Sequence, residues 1–135
     1  MLKKRIIISL TFQDGILFRT KKFIPDYRYT KNFVDLWNAD EIILIDVSNE
    51  KNKLNDNFLE IVKFFINNCH LPISVGGGIN SILNAKKVFD LGVERIILNS
   101  ASYYDKNITN KICETYGSSS VIHSLDCKKI KDEYY

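Results

Sequence analysis

Polar and glycine residues stand where each of five short apolar runs ends, and their types suit acid–base chemistry and anion binding. Along the chain these ends are Thr11, Asp46, Gly76-Gly77-Gly78, Asn99-Ser100 and Asp126, with Asp14 and Ser48 close behind the first two. Ligands of parallel α/β proteins bind at the carboxyl ends of the strands. The row of strand ends therefore outlines one candidate site.

The triple glycine Gly76-Gly77-Gly78 stands between a predicted strand and a predicted helix. Glycines let a backbone approach a ligand closely, and a helix N-terminus offers free N–H groups to a phosphate. The alternative is a plain tight turn, because the spacing matches neither a P-loop nor the dinucleotide fingerprint. Asn99 and Ser100, at the end of the next strand, supply further donors and favour phosphate binding.

Charged residues suggest two further functions. Asp126 is a candidate general acid or base, and its alternative role is to cap the following turn. Arg5, Glu41 and Arg95 begin the first, second and fourth apolar runs. They form either an inward ring of compensating charges at the opposite end of the sheet or ordinary solvated strand ends.

The five apolar runs predict the strands that position these residues, at 5–11, 41–46, 72–75, 95–99 and 121–126. Nearly continuous apolar strands are typical of a parallel sheet with both faces covered. Helical periodicity predicts helices that begin after Thr30, at Asp56, at Asn80 or Ser81, and at Asp105. The predicted fold class is α/β, with strands and helices in strict alternation.

Residues 12–30 form a connection longer than a usual strand-to-helix loop. The segment contains an Asp14-Gly15 turn signal and the basic residues Arg19, Lys21 and Lys22. Two interpretations stay open, a binding loop or lid and a small β-hairpin.

Composition excludes several classes of protein. Nineteen basic residues oppose 16 acidic ones, and hydrophobic residues are 45%, which excludes disorder and argues against a nucleic-acid partner. The sequence predicts neither a signal peptide nor an apolar run of the roughly 18 residues that a membrane helix needs. Cys69, Cys113 and Cys127 lack disulfide or zinc spacing and are predicted to be core thiols of a cytoplasmic protein. His123 is predicted to be a core histidine, and we expect no metal and no cofactor.

Five segments resemble the cyclase subunit of imidazole glycerol phosphate synthase. They are KRIIISLTFQDG, DEIILIDVS, PISVGGGI, GVERIILNSA and SLDCKK, which follow one another in the family's order over residues 1–129. The resemblance implies a (β/α)8 barrel that takes ammonia from a glutaminase subunit in a heterodimer. It also implies a lyase-type step of histidine biosynthesis, in which the phosphoribulosyl-formimino aminoimidazole carboxamide nucleotide (PRFAR) becomes imidazole glycerol phosphate and an aminoimidazole carboxamide ribotide.

The resemblance implies roles for residues at the carboxyl ends of the strands. The family's first phosphate site falls on Gly78, Asn99 and Ser100, and its strand-five catalytic aspartate falls on Asp126. The mobile basic residue of its first loop corresponds to Arg19, where the family usually has lysine. The implied ligand is thus a phosphorylated small molecule.

The resemblance also implies a role for the charges at the other end. The family's ammonia gate falls on Arg5, Glu41 and Arg95, with an arginine in place of a lysine. The gate's fourth member belongs to the second half of the barrel. A complete barrel takes about 250 residues, so residues 1–135 are expected to be a truncated N-terminal half. Its first and fifth strands would be open edges, which two copies could cover in a homodimer.

One position departs from the family. The strand-one aspartate, which is the acid–base partner of the residue at Asp126, falls on Thr11, and a hydroxyl cannot act as a carboxylate base at neutral pH. Cyclase-like paralogues of bacterial surface-sugar pathways also lack this aspartate, and residues 23–27 (FIPDY) resemble theirs. In those proteins an ammonia-accepting barrel assists amidation of a nucleotide sugar. A third alternative is an inactive half-barrel that binds phosphate or a partner.

Overall fold

The structure is a computed structural model that describes residues 4–21, 24–29, 39–48, 53–130 and 133–134. The strands are β1 (Ile7–Gln13), β2 (Ile16–Lys21), β3 (Ile24–Tyr29), β4 (Glu41–Asp46), β5 (Ile73–Gly76), β6 (Arg95–Leu98), β7 (Val121–His123), β8 (Lys129–Ile130) and β9 (Glu133–Tyr134). The helices are α1 (Asp56–Asn68), α2 (Ile82–Phe89), α3 (Ser100–Tyr104) and α4 (Ile108–Tyr116), and a 3-10 turn covers Ser118–Ser120. The helix predicted after Thr30 lies outside the described residues.

Seven of the described strands form one sheet in the order β3-β2-β1-β4-β5-β6-β7. The strands β1, β4, β5, β6 and β7 run parallel to one another, and helices connect β4 to β5, β5 to β6 and β6 to β7. This arrangement confirms the predicted α/β class. Five parallel strands in sequence order are consistent with one half of a (β/α)8 barrel.

The hydrophobic core lies between the parallel strands and the helices. Phe12 of β1 is fully buried, and its ring lies 5.9 Å from Phe58 and 6.2 Å from Phe65 of α1. Residues on this face of the sheet alternate with residues on the opposite face, because side chains of a strand point alternately to the two sides. Thr11 lies on the opposite face because it is the neighbour of Phe12 in β1. Glu41 lies on that opposite face as well, because it pairs with Ile7, which is five residues from Phe12.

Two interpretations were open for the long connection after the first strand, a binding loop or lid and a small β-hairpin, and the structure shows a β-hairpin. Asp14 and Gly15 both have positive φ, at 51° and 75°, as a tight hairpin turn requires. The strands β2 and β3 extend the sheet antiparallel beyond β1. The prediction that the first strand is an open edge was therefore wrong, because β2 covers it.

Several element boundaries differ from the predictions. Helix α1 is capped by Asn55 rather than Asp56, because the Asn55 side chain accepts the Asn57 N–H at 2.9 Å. Helix α3 was not predicted. The fifth strand ends at His123, which is exposed rather than in the core, and Cys127 is exposed as well. Among the described residues, no helix has the length and apolar character needed to cross a membrane.

Candidate functional site

A cavity of about 290 Å³ opens at the carboxyl ends of β4, β5 and β6. Its walls come largely from the strand ends that the sequence analysis singled out, namely Asp46, Ser48, Gly77, Gly78, Asn99 and Ser100. Lys53, from the connection between β4 and α1, also lines the cavity and was missed. The volume lies near the lower end of small-molecule sites, which suits a small phosphorylated compound.

Gly77 and Gly78 form the part of the wall where backbone replaces side chains. Their φ angles of 108° and 66° lie in the left-handed region. A Cβ on Gly77 would lie 2.5 Å from the carbonyl oxygen of Asp46, and one on Gly78 would overlap the carbonyl of Lys53. Helix α2 begins after this turn with Ser81 as its N-cap. The wall is therefore bare backbone next to the positive end of a helix, which favours an anion.

Asn99 connects the cavity to Asp126. Its Nδ2 donates a hydrogen bond of 2.9 Å to Asp126 Oδ2, and its carbonyl oxygen accepts the Ser102 hydroxyl at 2.8 Å. Ser100, the next residue, begins α3. Asn99 and Ser100 also line a second cavity of about 550 Å³, which Asp126 borders. The structure thus brings Asn99, Ser100 and Asp126 to one corner of the sheet.

Asp126 lies beyond the fifth strand, not at its end as predicted. The ladder between β6 and β7 stops at the pair Leu98 and His123, and the last backbone hydrogen bond runs from Ser124 N to Leu98 O. Asp126 is exposed in the loop that follows. Its carboxylate is hydrogen-bonded to Asn99 and does not belong to the sheet.

Thr11 lies inside β1 rather than at its end. Its hydroxyl donates to the carbonyl oxygen of Phe18 in β2 at 2.8 Å. In the sheet order, the strands β4, β5 and β6 lie between β1 and β7. Arg19 lies in β2, opposite Tyr27 of β3.

Asp46 is a half-buried carboxyl of the cavity wall, and burial raises its pKa. The nearby Asp14 carboxylate acts in the same direction, while hydrogen bonds from Ser48 oppose the rise. The Ser48 backbone N–H donates to Asp46 Oδ1 at 3.0 Å, and its hydroxyl donates to the same oxygen. Ser48 Oγ in turn accepts the Asp14 N–H at 2.9 Å, which ties the hairpin turn to the end of β4.

Metal ligands do not converge in the parts of the chain that the structure describes. No group of three or more His, Cys, Asp or Glu side chains there is arranged to hold an ion. The lining of the first cavity combines one carboxyl, Asp46, with one cation, Lys53, and several neutral donors. These groups suit a phosphorylated organic molecule.

A cluster of charged side chains occupies the opposite, amino-terminal end of the strands. Glu41, which is only 2% exposed, accepts hydrogen bonds from Arg5 Nη2 at 2.9 Å and from Arg95 Nη1 at 2.9 and 3.0 Å. The buried Ser74 hydroxyl donates to Glu41 Oε1 at 2.7 Å. The two arginine side chains remain 46% and 28% exposed. The structure thus joins Arg5, Glu41 and Arg95, and Ser74 is a member that the sequence analysis missed.

Known proteins resemble this chain over most of its length. A family model described as "Histidine biosynthesis protein" matches residues 9–134. A putative imidazole glycerol phosphate synthase subunit hisF2 of Pseudomonas aeruginosa is 33% identical over 135 residues, which cover 96% of this chain and 53% of that protein. Imidazole glycerol phosphate synthase subunit HisF of Chlorobium phaeovibrioides is 32% identical over 143 residues, covering 99% and 55%. The chain spans about half the length of these curated relatives.

Proposed function

The chain belongs to the histidine biosynthesis protein family, and from that premise we propose that it forms the N-terminal half of an ammonia-using cyclase barrel. The proposed reaction converts PRFAR and ammonia into imidazole glycerol phosphate and the aminoimidazole carboxamide ribotide. A glutaminase subunit supplies the ammonia. Free thiols at Cys69, Cys113 and Cys127 suit the reducing cytoplasm, where we expect the reaction to occur.

The observation that carries this proposal is the separation of two polar sites at opposite ends of one set of parallel strands. The glycine-walled cavity lies at the carboxyl ends, and the cluster around Glu41 lies at the amino ends. A barrel that receives ammonia at one end and binds a phosphorylated substrate at the other needs this division. A protein that only binds phosphate does not need a buried carboxylate and two arginines at the amino ends of its strands, and burying that carboxylate costs desolvation free energy.

At the substrate end, Gly78, Asn99 and Ser100 bind a phosphate group through neutral donors. Lys53 adds a positive charge to the same wall. The second phosphate of PRFAR binds to the other half of the barrel. Each half therefore holds one end of the substrate, and the reacting atoms lie between them.

At the ammonia end, Glu41 forms the centre of a gate that Arg5 and Arg95 close. The arginines neutralise the buried carboxylate and obstruct passage of water between the strands. Ammonia is a small neutral molecule that donates hydrogen bonds to Glu41 as it passes. Exposure of the Arg5 side chain, at 46%, leaves that arginine the freer of the two to move aside.

Asp126 is the acid–base residue that this half contributes to the reaction. Asn99 Nδ2 donates to Asp126 Oδ2, which orients the carboxylate and links it to the phosphate-binding corner. Thr11 is no substitute for a second carboxylate, because its hydroxyl is engaged with Phe18 O and is far too weak an acid. This observation favours a second candidate function, in which a barrel of the same design passes ammonia to a nucleotide sugar for surface-polysaccharide synthesis.

Complementation of a histidine auxotroph that lacks the cyclase subunit separates these two functions. The complete gene that encodes the chain is expressed with the host glutaminase. Growth without histidine is the expected result, and Asp126→Asn should abolish it. If the protein accumulates in the cell but growth fails, the cyclase reaction is excluded and ammonia transfer to a nucleotide sugar becomes the better account.

A further inference from the structure

Asp46 stands directly against the backbone of the proposed phosphate site. Gly77 lies so close to it that a Cβ on Gly77 would be 2.8 Å from the Asp46 Cβ. Both residues line the same cavity of about 290 Å³, together with Gly78, Asn99 and Ser100. A ligand whose phosphate lies at Gly78 therefore brings its next atoms within reach of a carboxyl group.

The carboxyl group of Asp46 is held in place and keeps capacity to accept hydrogen bonds. Ser48 directs its backbone N–H and its hydroxyl to one oxygen, Oδ1. An ionised carboxylate has about four acceptor positions on its two oxygens, and Ser48 takes two of them. Burial raises the pKa of Asp46, which means that the ionised form has lost favourable contacts with water. A donor group on a ligand can replace those contacts.

The carboxylate distinguishes between two kinds of phosphate monoester. An alkyl phosphate offers it only a second negative charge and apolar carbon, while Asp14 already adds negative potential from the hairpin turn. A polyol phosphate offers hydroxyl groups one or two atoms from the phosphate, and each hydroxyl can donate to the carboxylate. Lys53 on the same wall attracts both compounds through their phosphate, so it does not discriminate between them.

We propose that Asp46 is a specificity-determining residue, which accepts a hydrogen bond from a substrate hydroxyl next to the phosphate bound at Gly78. The inference rests on the proposed phosphate site. It adds that this half of the barrel selects phosphates of sugars or other polyols, and it assigns that selection to Asp46. Ser48 positions the carboxylate through its backbone N–H and its hydroxyl.

A comparison of two ligands tests this role. Glycerol 3-phosphate and n-propyl phosphate share a phosphate and a three-carbon chain, and only the first has hydroxyls. Their affinities for the chain are measured by NMR titration, followed at the amides of Gly78 and Asn99. A hydrogen bond to a charged group contributes about 1.5–3 kcal/mol, so the chain should bind glycerol 3-phosphate at least about ten-fold more tightly. Asp46→Asn keeps Oδ1 for Ser48 and should reduce that ratio to near one.

Asp14→Asn is the matched control, because it removes a nearby carboxylate that does not line the cavity. It should raise the affinities for both ligands alike and leave their ratio unchanged. Equal affinities for the two ligands in the unaltered chain would overturn the role of Asp46 while leaving the phosphate site intact. If neither ligand shifts the amides of Gly78 and Asn99, the phosphate site itself fails and the inference fails with it. The ligand ratio in the unaltered chain requires no variant, so the test stands even if Asp46→Asn does not fold.

Discussion

Ser74 donates its hydroxyl proton to Glu41 Oε1 across 2.7 Å, and both side chains are almost completely buried. The same carboxylate oxygen accepts Arg95 Nη1 at 2.9 Å. A buried carboxylate is stable only when its lone pairs are satisfied. Ser74, a small residue in the apolar strand β5, therefore belongs to the charged cluster as much as the arginines do.

Ser74→Ala should lower the free energy of unfolding by about 1.5–3 kcal/mol, because it removes a hydrogen bond to a buried charge. Urea denaturation followed by circular dichroism measures the loss. Thr115→Ala is the control, since the exposed Thr115 hydroxyl bonds to the Lys111 carbonyl within the same helix, α4. That substitution should change stability by less than about 0.5 kcal/mol. Similar losses for the two variants would mean that the Ser74 contact contributes nothing special.

Arg95→Met should destabilise the fold more than Arg5→Met. Arg95 donates to both oxygens of Glu41 and is 28% exposed, whereas Arg5 donates to one oxygen and is 46% exposed. Methionine preserves much of the apolar stem, so the comparison isolates the charge. We expect a loss of about 2–3 kcal/mol for Arg95→Met and about 1 kcal/mol or less for Arg5→Met. The urea midpoints of the two variants decide the order, and a larger loss for Arg5→Met would contradict it.

Gly78→Ala should abolish phosphate binding and destabilise the chain. A Cβ there would lie 2.7 Å from the Lys53 carbonyl carbon, so the wall of the cavity must move. Gly117→Ala is the control, because Gly117 also has a positive φ, 91°, but a Cβ there would meet nothing within 4 Å. In both variants an alanine must adopt a positive φ, which lowers the free energy of unfolding by about 1–3 kcal/mol. Only Gly78→Ala should lose the NMR response to glycerol 3-phosphate, and retention of that response would exclude Gly78 from the site.

The parallel strands could be predicted because isoleucine and valine favour β-strands, and because nearly continuous apolar runs are typical of a sheet that is covered on both faces. It did not predict α3, since Ser100–Tyr104 spans five residues with no buried side chain. The fifth strand was predicted to end at Asp126, whereas β7 ends at His123. Residues 124–126 continue the apolar pattern through Leu125, but their pairing depends on the length of β6, which ends at Leu98.

Reasoning from strand ends was informative where the strands are neighbours in the sheet. Gly78, Asn99 and Ser100 follow adjacent strands, so parallel pairing brings them to one cavity. Thr11 lies within β1 and Asp126 lies beyond β7, at the two sides of the parallel set, so direct strand pairing does not relate their side chains. Lys53 and Ser74 were missed because neither stands at a strand end. Ser74 is inward-facing by its pairing with Ile43 and Arg95, which only the register reveals.

Asp46→Asn should stabilise the chain at neutral pH more than at acidic pH. Burial raises the pKa of Asp46 in the folded state above its ordinary value of 3.8, so between those two values the folded chain binds more protons than the unfolded chain. The free energy of unfolding therefore falls as pH rises through that interval, and the penalty persists above it. Asparagine removes the penalty and keeps an oxygen for Ser48. Urea denaturation of both chains over a series from acidic to neutral pH should show a difference that grows with pH. Glu60→Gln removes an exposed carboxylate of α1 and should show a smaller change, whereas an Asp46→Asn difference that is constant or shrinks with pH would contradict the assignment.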